Sequence, residues 1–183
     1  MPSMTKRSRK MLILFLALVI LLSFFSSCRI GNAPKACDVL SEMLAAAKGL
    51  PVGSFYSSKS EKGASNYLSE SLMTALYGTD SFPEVFARAE ETAVWLSSGI
   101  YACEFAVFLC SNRRDAEEIS DLCLGRIDTM RHFINANSER LSLDPSGSEN
   151  LKKAKVKVVG QYVIMAVWMD ADIIINAAKE LIS

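Results

Sequence analysis

The apolar and polar positions divide the chain into short segments around one run, residues 101–110, Tyr-Ala-Cys-Glu-Phe-Ala-Val-Phe-Leu-Cys. Only Glu104 interrupts its apolar character, so it is predicted as a strand packed on at least one face. Residues 92–96 are predicted as its hairpin partner. With Ser98-Gly99 as the turn, Leu96 would face Tyr101, Val94 would face Cys103, and Thr92 would face Phe105. A second hairpin is read from the alternation of Ala154, Val156 and Val158 with Lys153, Lys155 and Lys157. A turn at Gly160-Gln161 would set Val158 opposite Val163, Val156 opposite Met165, and Ala154 opposite Val167. Tyr162, Ile164, Ala166 and Trp168 then share the lysine face, and the lysines would protect a sheet edge.

Helical periods surround these hairpins. Residues 35–48 carry Ala36, Val39, Leu40, Met43, Leu44 and Ala47 on one face and stop at Gly49. That helix would cover the sheet or lie along a membrane. Residues 67–77 repeat the pattern up to Gly78, and Ser81-Phe-Pro-Glu84 resembles one capped turn. Asn112, with Asp115 three residues on, opens the longest predicted helix, 113–134, striped by Ala116, Ile119, Cys123, Ile127 and Ile134. Asp170 would cap a last helix bearing Ile174, Ala178 and Ile182. Residues 53–66 and 135–150 are polar and read as loops. The expected fold is α+β and two-layered. A four-stranded antiparallel sheet is built from two strand-strand-helix units, preceded by N-terminal helices.

The N-terminus has a different composition. Lys6, Arg7, Arg9 and Lys10 precede an unbroken apolar run, 11–22, followed by Ser23-Phe-Phe-Ser-Ser-Cys28. A basic start, a short apolar stretch and small residues before a cysteine make an export signal. A single N-terminal membrane anchor is the competing reading, although the run is short of the roughly 20 residues that a span requires. Phe25-Ser-Ser-Cys28 resembles the lipobox of bacterial lipoproteins, with phenylalanine where that motif prefers an aliphatic residue. The resemblance implies cleavage before Cys28 and a diacylglyceryl group on its thiol, with further acylation such as palmitate. Ordinary secretory cleavage near Ser27 is the alternative. The expected organisation is a signal peptide over 1–27, a tether over 28–34 and one domain over 35–183.

The full chain has 20 basic and 20 acidic residues. Removing the signal takes away four basic residues and no acidic one, which leaves 16 against 20, a net charge of −4. An acidic domain has no electrostatic reason to bind nucleic acid, and none is expected as a partner.

Candidate chemistry is sparse. His132 is the only histidine, placed off the apolar stripe, so neither a triad nor a zinc site can be assembled around a histidine pair. Cys37, Cys103, Cys110 and Cys123 lack the spacing of a redox or metal motif. Cys103 and Cys110 fall on opposite strand faces, while a Cys110–Cys123 bridge is geometrically open. Glu104, if buried, needs a partner, for which Arg88 and Arg126 are the candidates. Asp170 and Asp172 read as a helix cap and a first-turn acid. No catalytic residue, cofactor or metal ligand is assigned. Trp95, Tyr162 and Trp168 are expected on one sheet face. They would form a surface for an envelope protein or a saccharide, or the seat of the N-terminal helices.

Three further segments resemble the uncharacterised bacterial lipoprotein family known as domain of unknown function number 4358. They are Glu104-Phe-Ala-Val-Phe108, Asp115-Ala-Glu-Glu-Ile119 with Arg126, and Lys157-Val-Val-Gly-Gln-Tyr-Val163 before Asp170-Ala-Asp172. Leu76-Tyr-Gly78 resembles its upstream helix end. The likeness covers about the last three fifths of the chain and implies an extracytoplasmic lipoprotein, with no activity attached. The expectation is a lipid-anchored protein on the outer face of the bacterial cell membrane. Its partners would be the membrane, through Cys28, and an envelope protein or saccharide, in a non-catalytic binding or structural role. A small envelope hydrolase is the alternative.

Overall fold

The computed structural model describes residues 33–78, 81–99, 102–137 and 146–183. The expected signal segment 1–27, Cys28 and Tyr101 lie outside the described residues. From Pro34 onward the chain forms one compact unit. Its elements are α1 (Ala36–Ala46), β1 (Gly53–Ser57), α2 (Glu70–Tyr77), a 3-10 turn (Glu84–Arg88), β2 (Ala89–Ser97) and β3 (Glu104–Cys110). They continue with α3 (Arg113–Ala136), α4 (Gly147–Lys153), β4 (Lys155–Val159), β5 (Tyr162–Val167) and α5 (Ala171–Ile182).

The fold is α+β with one antiparallel sheet, in the order β1-β2-β3-β5-β4. Among the described residues it has five strands, not four. The added strand, β1, lies in the segment expected to be a loop and pairs Phe55 with Trp95. Gly53 is required there. A Cβ at this position would lie 2.2 Å from the Trp95 ring and 2.5 Å from the Leu96 carbonyl oxygen. The segment 135–150 was likewise expected to be loop throughout, yet its end opens the short helix α4.

The two-layer expectation is corrected as well. β3 and β5 are buried along their whole lengths because helices cover both faces of the sheet. On one face Val94, Phe108 and Met165 pack against α3, with Tyr77 of α2 and Phe86 of the 3-10 turn. On the other, Trp95, Phe105 and Ile164 pack against α1 and α5. The physical reason is the apolar character of both alternating sets in these central strands, which leaves neither face suited to water.

The β4–β5 hairpin has the expected register, Val158 opposite Val163 and Val156 opposite Met165. Gly160 supplies the positive φ (60°) of its turn. β4 is an edge strand with Lys155 and Lys157 exposed. The β2–β3 hairpin differs from expectation. Val94 faces Ala106, not Cys103, and Leu96 faces Glu104. That odd shift exchanges the sheet faces of one strand relative to the other. A longer connection, with the Ser97 N–H donating to the Cys103 carbonyl, brings Trp95 opposite Phe105, and the two rings stack 5.6 Å apart.

α3 begins as expected. Asn112 Oδ1 accepts from the Asp115 N–H at 3.0 Å, and the 24-residue helix runs about 36 Å across the sheet. Asp170 stands at the N-cap position of α5, but its side chain makes no capping bond. Among the described residues, no helix is long and apolar enough to cross a membrane.

Candidate functional site

Of the two expectations for Trp95, Tyr162 and Trp168, a binding surface or the seat of the N-terminal helices, the structure shows the seat. Trp95, Tyr162 and Trp168 are all buried in the layer beneath α1 and α5. The Tyr162 hydroxyl donates to the Pro34 carbonyl at 2.6 Å, which pins the start of the domain to β5. The indole N–H of Trp168 has no acceptor among the described residues. These three side chains seat α1 and α5 and do not present a surface. The amphipathic stripe of α1, Val39, Leu40 and Met43, needs such an apolar seat.

Glu104 is 2% exposed and fully engaged. Arg126 of α3 donates to its Oε2 through Nε at 3.0 Å and Nη2 at 2.9 Å. The Tyr77 hydroxyl donates to Oε1 at 2.9 Å. Burial, then the Glu104 charge, pushes the Tyr77 hydroxyl well above its usual pKa, so it remains a donor. Arg88, the other candidate partner, instead pairs with Asp115 at 2.7 Å and with Glu118. The Glu104 cluster is a structural cross-link between α2, β3 and α3.

His132 is exposed on α3, with Nδ1 2.8 Å from the Asp128 carbonyl oxygen. Cys110 and Cys123 share one buried cluster as thiols and form no bridge. Desolvation raises both, Cys110 to about 11. Cys103 and Cys110 lie in the clusters on opposite sheet faces, as expected. Asp172 is bound by Lys155. Among the described residues no group of three or more His, Cys, Asp or Glu side chains could hold a metal ion.

A polar cluster that the sequence did not single out lies where the N-terminus of α1 meets the ends of β1 and β2. The Cys37 thiol donates to Ser57 Oγ at 3.1 Å, and the Cys37 N–H donates to Glu91 Oε1 at 3.2 Å. Lys35, the N-cap residue of α1, provides no side-chain cap, so Glu91 caps that helix from the sheet. The three residues line a cleft of about 580 Å³, flanked by Phe55 and by exposed Lys35 and Lys59. Burial pushes the Cys37 thiol up, the Ser57 hydrogen bond lowers it, and Glu91 raises it further. The net direction is away from a thiolate. In sequence, Cys37 stands 20 residues from Ser57 and 54 from Glu91, and no local motif signals their meeting.

Comparison with protein-family models, with curated proteins and with solved structures returned no match.

Proposed function

We propose that the chain is an extracytoplasmic bacterial lipoprotein, tethered through Cys28, with a non-catalytic binding or structural role at the cell envelope. The observation that carries this reading is the N-terminal order: four basic residues, an apolar run over 11–22, and Ser26-Ser27 before Cys28. The likeness to the lipoprotein family points the same way. Two or three acyl chains on one cysteine would hold the protein at the membrane, where a single chain is marginal.

The start of the domain suits such a tether. Pro34 is fixed to β5 through Tyr162, and Cys28 lies six positions before it in the chain. At about 3.3–3.6 Å per residue, that link lets the domain stand no more than roughly 20 Å from the lipid.

The non-catalytic half of the reading rests on where the reactive groups are. Glu104 is committed to Arg126 and Tyr77. His132 is exposed on α3, and its one hydrogen bond among the described residues is to the Asp128 backbone carbonyl. The competing hydrolase reading would use the cleft that joins Cys37, Ser57 and Glu91. Its thiol is raised, not lowered, which is the wrong direction for a nucleophile at neutral pH.

Metabolic labelling tests the tether. Cells given radiolabelled palmitate should incorporate it into the wild-type chain and not into Cys28→Ala. Equal labelling of the two, or none in either, overturns the proposal.

A further inference from the structure

Two glutamates are buried in the sheet, and their surroundings differ sharply. Glu104 has a guanidinium and a phenol on its two oxygens. Glu91, 6% exposed, accepts from the Cys37 N–H on Oε1 and interacts with the Cys37 thiol as well, and it forms no ion pair with any described residue. A buried carboxylate whose partners are the neutral groups of one cysteine is costly, and the positive end of α1 offsets only part of that cost. The side chain is not sealed in the core, because it lines the cleft beside Cys37 and Ser57. The β2–β3 register shifts between Ala89 and Glu91, the kind of break that commonly re-aims a side chain at a site.

Charge of the opposite sign lines the same cleft. Lys35 and Lys59 are exposed, and neither forms an ion pair among the described residues. A second acid, exposed Asp38, also lines the cleft, and neither lysine forms an ion pair with it or with Glu91, so both signs are left without ion pairs across the opening. Phe55, half-buried, adds an apolar wall. A simple cation would meet the lysines, and a simple anion would meet Glu91 and Asp38. A molecule bearing both charges satisfies both, and a cleft of about 580 Å³ is ample for one.

We propose that this cleft binds a small zwitterion of the amino-acid class, its ammonium on Glu91, its carboxylate on Lys59 or Lys35, and its side chain on Phe55. The assignment rests on the binding reading above and names its ligand class. It stands apart from the lipid anchor, whose failure is read at Cys28.

Three probes that share a phenylethyl group separate the charges: phenylalanine carries both, phenethylamine only the ammonium, and 3-phenylpropionate only the carboxylate. Each is titrated into the full chain in detergent, following the backbone amides of Cys37, Ser57 and Glu91. Protection of Cys37 from iodoacetamide, read by mass on its own peptide, is a second readout. Phenylalanine should bind at least about tenfold more tightly than either single-charge probe. Glu91→Gln keeps an acceptor for the Cys37 N–H and should leave the urea midpoint nearly unchanged, yet weaken phenylalanine by at least about tenfold. Lys59→Ala should weaken phenylalanine and 3-phenylpropionate but not phenethylamine, and Lys35→Ala does so instead if Lys35 holds the carboxylate. Equal affinity for the three probes, unaltered binding by Glu91→Gln, or no shift and no protection of Cys37 at millimolar phenylalanine would overturn the proposal. None of these results would alter palmitate labelling of Cys28.

Discussion

Replacing Arg126 by methionine removes both donors from Glu104 Oε2 and leaves the Tyr77 hydroxyl as the one remaining partner of a carboxylate 2% exposed. Breaking a buried ion pair from one side typically costs about 3–5 kcal/mol, because the remaining charge stays desolvated. The Arg126 side chain is 20% exposed, so water can enter the vacated space and the lower half of that range is expected. With a urea m-value of about 2 kcal/mol/M, the midpoint should fall by roughly 1.5–2 M. The double variant Glu104→Leu/Arg126→Met removes the stranded charge and should recover part of the loss. It then leaves the Tyr77 hydroxyl without an acceptor, a residual cost of about 1–3 kcal/mol. Tyr77→Phe in that background should recover part of it. The assay is urea unfolding followed by far-ultraviolet circular dichroism, fitted for both midpoint and slope. A loss below about 1 kcal/mol for Arg126→Met would refute the claim that this pair is desolvated and cross-links α2, β3 and α3.

Other consequences are simpler to state. Phe105→Ala empties a fully buried site against Trp95 and should cost about 3–5 kcal/mol in the same assay; a change near zero would place Phe105 outside the core. Gly53→Ala forces a methyl into the Trp95 ring and the Leu96 carbonyl and should cost at least about 1–3 kcal/mol, with β1 amides losing hydrogen-exchange protection first. Asn112→Ala removes the α3 cap and should cost about 1 kcal/mol. The Cys110 thiol is raised from 9.0 to about 11, so its stabilising contribution is complete below pH 9 and is lost as pH rises toward 11. The melting temperature of wild type should therefore fall more steeply over that window than that of Cys110→Ala, and parallel curves would contradict the burial of this thiol.

The parts of the fold legible in the sequence are those with a complete local signal. α3 has a capping asparagine and an unbroken apolar stripe, and β4–β5 has lysine–valine alternation closed by Gly160. β1 has no such signal. Its five residues, Gly-Ser-Phe-Tyr-Ser, gain strand character only by pairing with β2. The β2–β3 register was misread because Ala102 and Cys103 are apolar and look like strand, although they belong to the connection and are buried there. The second helical layer was implicit in the unbroken apolar runs of β3 and β5. A strand without alternation has two faces to cover, and α1 and α5 supply the second cover.

Whether Trp95 and Trp168 form a surface or a seat turned on whether a helix lies on them, and α1 and α5 do. For Glu104, the need for a partner and Arg126 as a candidate were both visible in the chain. Tyr77 was not, because it reaches the carboxylate from a different helix. The Cys37–Ser57–Glu91 cluster joins three elements distant in sequence, and a single sequence holds no sign of such a meeting. One sign of Glu91 was present in retrospect: an acid pair, Glu90-Glu91, at the head of an otherwise apolar strand.

The tether at Cys28 is the central claim, and intact-mass measurement of the protein extracted from the membrane fraction tests it most directly. The account expects a chain that begins at Cys28, lacks residues 1–27 and carries a diacylglyceryl adduct with or without a further acyl chain. An unmodified Cys28, or a mass that retains residues 1–27, would contradict it.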